Sequence, residues 1–159
     1  MTERDVQRAR VYEAEGLVAR MIDRRLDFPV AEAFGSRVVV PDDRKFGDIA
    51  SVQRYADAVL ALGWVGNDTP VTIRARRGST KAEYEFESAT IAVPPHDKGG
   101  RWAMRELVIL HELAHHLVGK PDHGPAYVAR FLELVDGLIG AEAAFLLRAS
   151  LLDSGVQMA

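Results

Sequence analysis

The sequence predicts an α+β fold: a small antiparallel or mixed sheet of three or four strands, packed with a histidine-bearing helix and surrounding helices. Three observations predict it. Apolar residues recur at helical spacing toward both ends of the chain, whereas the middle third alternates apolar with polar residues as strands do. Gly and Pro stand at the joins between these segments. Four of the five histidines fall in the thirteen residues 111–123, three of them on a long helical pattern.

In order along the chain, residues 3–25 are rich in charge and helix formers. Val6, Tyr12, Leu17, Met21 and Ile22 fall loosely at helical spacing, which predicts one N-terminal helix or two. Phe28-Pro29 ends that segment, because the residue before a proline is pushed out of the helical region. Arg37-Val38-Val39-Val40, closed by Pro41, reads as a short strand. Between Asp48 and Leu62, apolar residues at 49, 52, 55, 56, 59 and 60 predict an amphipathic helix, capped by Asp48 and stopped by Gly63.

The period then changes. Val71–Ala75 alternates, Gly78-Ser79 marks a turn, and Tyr84, Phe86 and Ala89–Val93 follow, closed by Pro94-Pro95. Two or three antiparallel strands joined by hairpins are expected here, with Ala89–Val93 either a sheet edge onto which an extended peptide could add or an ordinary central strand. A polar loop, His96–Gly100, leads into a helix expected from Trp102 to Val118, which Gly119 and Pro121 stop. Another helix starts at Pro125, a favoured first-turn residue, and runs to about Val135. Gly137 and Gly140 interrupt before a last helix, Ala141–Leu152, and a tail, 153–159, expected to fray.

A chain of 159 residues suits one domain, 1–159, with a core that needs no staples. It has no cysteine, which excludes disulfides, thiolate zinc sites, Fe–S clusters and thiol nucleophiles. Any metal site must be built from His and carboxylates. The net charge of −3 offers no basic excess for counterion release, so strong nucleic-acid binding is not expected. Arg74-Ala75-Arg76-Arg77 reads as a solvated strand end. Residues 1–5 hold no apolar signal core, and no window reaches the length of a membrane span, so a cytoplasmic location without membrane contact is expected.

The chemistry concentrates in His111-Glu112-Leu113-Ala114-His115. Residues i and i+4 share a helix face, so both imidazoles can reach one ion. Glu112, beside the first ligand, is placed to take a proton from water rather than to bind metal. His116 lies about 100° around the helix from His115 and reads as a supporting or surface residue. His96 reads as a solvated loop histidine.

A catalytic zinc takes three protein ligands and keeps one position open. His123 and Glu133 are the candidates for the third. His123 precedes a helix, after a turn built by Gly119, Pro121 and Gly124, and is free of that helix's phase. Val128, Phe131, Leu132 and Val135 define the helix's buried face, and Glu133 lies off it. His123 is therefore the preferred ligand and Glu133 the alternative.

His111–His115 followed by His123-Gly124-Pro125-Ala126-Tyr127 resembles the active segment of SprT-like zinc metallopeptidases. It is also similar to a family of small metallohydrolases with one HExxH helix. The specific match spans about 107–131. The resemblance implies a compact zincin-like fold, Zn2+ as cofactor, His111, His115 and His123 as ligands, Glu112 as general base and a peptide or protein as substrate. Many SprT-like proteins carry a Cys-rich zinc ribbon or a basic DNA-binding part, and this chain has neither, so a role on DNA is not implied.

On this reading the protein is a zinc-dependent hydrolase that cleaves peptide bonds. Zinc lowers the pKa of water toward 7 and polarises a carbonyl, and Glu112 moves the proton to the leaving amine. Tyr127, Arg101 and Arg105 are candidates for contact with the oxyanion or substrate, with packing or surface charge the plainer role for each. The alternative is a catalytically inactive zincin-fold module used for binding, regulation or metal sensing. The intact Glu112 speaks against it.

Overall fold

The computed structural model describes residues 5–95 and 103–158. The chain is α+β and divides into two compact units. One comprises the residues up to Asp43 together with those from Asp122 onward; the other is Arg44–Pro121.

The first unit holds α1 (Arg8–Asp23), the hairpin of β1 (Val30–Ala33) and β2 (Ser36–Val39), and, from the C-terminal part, α4 (Pro125–Leu138) and α5 (Ala141–Asp153). Here α5 packs against α1, α4 and β2. Its Leu146, Leu147 and Leu151 are buried, as are Val11, Val18 and Ile22 of α1 and Val128, Phe131 and Val135 of α4. Each such side chain contributes about 1.5–3 kcal/mol through removal from water. The apolar set predicted for the fourth helix is thus its buried face, and the helix runs three residues beyond the expected end.

Strand β1 was not expected, since Val30-Ala31-Glu32-Ala33 carries little strand signal of its own. It forms because Phe34 and Gly35, with φ of 50° and 74°, make a tight turn that returns the chain as β2. Phe34 accepts this unusual conformation while packing edge-on against Phe145 of α5 at 5.5 Å. The tail is held rather than frayed as far as Gln157: Val156 is buried, and the Gln157 N–H donates to Gln7 Oε1 at 2.6 Å.

The second unit holds α2 (Ile49–Leu60), β3 (Thr72–Ala75), β4 (Glu83–Glu85), β5 (Thr90–Val93) and α3 (Glu106–Val118). Asp48 caps α2 as expected, its carboxylate accepting from the Ser51 N–H at 2.7 Å. The sheet order is β3-β5-β4. Only β4 and β5 form the expected antiparallel pair; β3 and β5 run parallel. Of the two readings of Ala89–Val93 the sheet edge is not found: β5 is the central strand, buried along its whole length, and β3 and β4 are the edges among the described residues.

Helix α3 starts at Glu106, later than expected; Trp102 lies outside the described residues. The cause is pairing. Arg105 is extended and bridges Lys45, the Phe46 N–H donates to Met104 O, and the Glu106 N–H donates to Arg44 O. These bonds hold 104–106 beside 44–46 and leave helix formation to begin after them.

Candidate metal centre

Every residue of α3 from Glu106 to His116 is buried, so its polar side chains must find partners inside the fold. Glu106 anchors the start: its carboxylate accepts from the Arg44 backbone N–H at 3.1 Å, from Arg44 Nη1 at 2.7 Å and from the Tyr55 hydroxyl. Gly119 ends the helix at φ 76°, its N–H donating to His115 O at 2.8 Å. That left-handed position suits glycine because a Cβ would strain it.

Between these ends the i, i+4 spacing puts His111 and His115 on one face, with ring centroids 5.4 Å apart. They are 1% and 5% exposed. Glu112 is buried as well, and its Oε1 lies 3.9 Å from His111 Nε2.

The Nδ1 atom of His115 lies 3.2 Å from Lys120 O. A carbonyl oxygen only accepts, so Nδ1 carries the hydrogen and, in the neutral ring, Nε2 the lone pair. His123 shows the same pattern with a stronger partner. It stands just before Gly124, the N-cap of α4, and its Nδ1 lies 2.6 Å from Asp5 Oδ2. The His123 backbone N–H donates to Asp5 Oδ1 at 3.2 Å, and its carbonyl accepts from Gln7 Nε2 at 2.7 Å. Burial alone would raise the Asp5 pKa, but the side-chain and backbone hydrogen bonds from His123 outweigh it and hold the carboxyl below its ordinary value. Tyr12 and Tyr127 pack against the His123 ring, at centroid distances of 5.6 and 4.8 Å.

His111, His115 and His123, all buried, each offer a ring nitrogen within 4.8 Å of the others. Nitrogens bound tetrahedrally at about 2.0–2.1 Å from a zinc ion would stand about 3.4 Å apart. The widest separation in the cluster, 4.8 Å, exceeds that spacing by about 1.4 Å. The donor set fits: three imidazoles, no thiolate, and one tetrahedral position left over.

The other sequence candidates differ in their placement. Glu133 is exposed on α4, is paired with Arg130 and is not among the clustered ligands. Tyr127 is 1% exposed, between His123 and Phe131. His116 is also buried, its Nε2 2.8 Å from Thr69 O and its Nδ1 2.7 Å from the Tyr84 hydroxyl. Arg105 is buried at the N-cap of α3. His96 and Arg101 lie outside the described residues.

Sequence reasoning missed Asp5, Gln7 and the Lys120 carbonyl. Asp5 reads as an ordinary N-terminal acid, and nothing local ties it to a histidine 118 positions away. Comparison with known proteins finds no matching family model, no matching curated protein and no matching solved structure.

Proposed function

We propose that the protein is a metal-dependent hydrolase, a zinc metallopeptidase with His111, His115 and His123 as ligands and Glu112 as general base. The observation that carries the reading is the hydrogen bonding of two histidines. His115 and His123 each commit Nδ1 to an acceptor, Lys120 O and Asp5 Oδ2, which orients Nε2 as a lone-pair donor. That is the arrangement of metal-binding imidazoles, whose second nitrogen donates to a carbonyl or carboxylate. The three-histidine cluster and the resemblance of 107–131 to SprT-like peptidases point the same way.

Zinc bound there would supply Lewis acidity, polarising a carbonyl and acidifying water. Glu112, buried beside His111, accepts the proton of the attacking water and returns it to the departing amine. The low-dielectric surroundings of α3 strengthen these charge interactions.

The test is reconstitution with Zn2+, metal analysis, and hydrolysis of a mixed library of fluorogenic peptides. About one zinc per chain is expected. Glu112→Gln should keep the metal and lose about 10²–10⁴-fold in rate. A wild-type chain that holds no zinc, or a Glu112→Gln protein that cleaves at the wild-type rate, overturns the reading.

A further inference from the structure

We propose that Asp5 and Gln7 form a positioning clamp on His123, through which the segment before α1 sets the metal affinity of the site. The inference rests on His123 acting as a ligand, and it extends that reading to residues outside the motif.

Three bonds converge on one residue. Asp5 takes both the imidazole Nδ1 at 2.6 Å and the backbone N–H at 3.2 Å, and Gln7 donates to the carbonyl at 2.7 Å. Between them Val6 is 72% exposed, so the segment presents its two polar side chains to His123 and its apolar one to solvent. The amide of Gln7 is itself held from the other side: Oε1 accepts from the Gln157 N–H at 2.6 Å, and Nε2 also reaches Gln157 O at 3.2 Å.

His123 lies in a loop, where the backbone would otherwise be loose. The clamp fixes its backbone through both amide groups and its ring through Nδ1. An ionised carboxylate accepts only, so it selects the tautomer with hydrogen on Nδ1 and the lone pair on Nε2. It also raises the basicity of the nitrogen that would meet the metal.

The experiment uses the full chain in two states. In the metal-free protein, ¹⁵N shifts of the histidine rings, read where the imidazoles are neutral, should show His123 as the Nδ1–H tautomer in wild type. Asp5→Ala should show a mixture of tautomers. In the metal-loaded protein, zinc affinity measured by chelator competition should fall about 10–100-fold in Asp5→Ala, with a smaller fall in Gln7→Ala. Asp5→Asn, of the same size but uncharged, should fall between wild type and Asp5→Ala, and it replaces Asp5→Ala if that variant does not fold.

The clamp is overturned if Asp5→Ala keeps the wild-type tautomer, or if the zinc affinity of the Asp5 variants stays within two-fold of wild type. A wild-type chain that binds no zinc would instead defeat the proposed function, and the metal-free tautomer measurement would still decide whether Asp5 orients His123.

Discussion

Glu106→Ala measures how strongly the histidine-bearing helix is anchored. The carboxylate is 1% exposed, whereas its ion-pair partner Arg44 is 62% exposed. That contrast divides the energetics. The exposed guanidinium is screened by water, so its pair contributes about 1 kcal/mol or less. The Arg44 backbone N–H and the Tyr55 hydroxyl are different, because they donate to a charged acceptor inside the fold. Bonds of that kind contribute about 1.5–3 kcal/mol each. Part of that sum is offset because removing the side chain also removes the cost of burying a charge, and members of one network are not additive. The net expected loss is about 3 kcal/mol, or about 6–12 °C in Tm for a chain of this size. Urea and thermal unfolding of the metal-free protein, followed by circular dichroism, read it. Tyr55→Phe should cost about 1–2 kcal/mol and Arg44→Ala under about 1 kcal/mol. A Glu106→Ala protein within about 1 kcal/mol of wild type, or an Arg44→Ala protein as damaged as Glu106→Ala, would refute the assignment of the anchor to the buried bonds.

Tyr84→Phe removes the hydroxyl that donates to His116 Nδ1, while the opposite nitrogen stays bonded to Thr69 O. Burial pushes the Tyr84 phenol up, which keeps it a neutral donor. Stability should fall about 1–2 kcal/mol with zinc affinity unchanged; loss of zinc instead would make His116 part of the metal site. Phe131→Ala empties a fully buried position on α4 and should cost about 3–5 kcal/mol in denaturant unfolding; a cost under about 1 kcal/mol would mean that α4 does not close the core of its unit. The Asp48 pKa is lowered, chiefly by the Ser51 hydroxyl and backbone hydrogen bonds. A depressed folded pKa gives stability that is full above the unfolded value, about 3.9, and lost as pH falls through the folded one. The stability gap between wild type and Asp48→Ala should therefore be constant at neutral pH and shrink below about pH 4; a gap that persists at about pH 2 would show that the cap does not depend on the charge.

Local physics made much of the chain legible. Asp48 and Gly119 mark helix ends by capping and left-handed geometry, which depend on a few neighbouring atoms. The pairing of His111 with His115 follows from helical pitch alone, and the buried face of α4 from its apolar spacing. Tertiary structure decided the rest, wherever the partner is distant in sequence. Strand β1 exists because a turn at Phe34-Gly35 pairs it with β2, and β3 joins β5 in parallel because hydrogen-bonding direction is set across the sheet and not within a strand. The late start of α3 reflects backbone bonds to 44–46, about sixty positions upstream. Asp5 is the sharpest case: its type and position say only that it is an acid near the start of the chain, and folding alone puts its carboxylate 2.6 Å from a histidine 118 residues away.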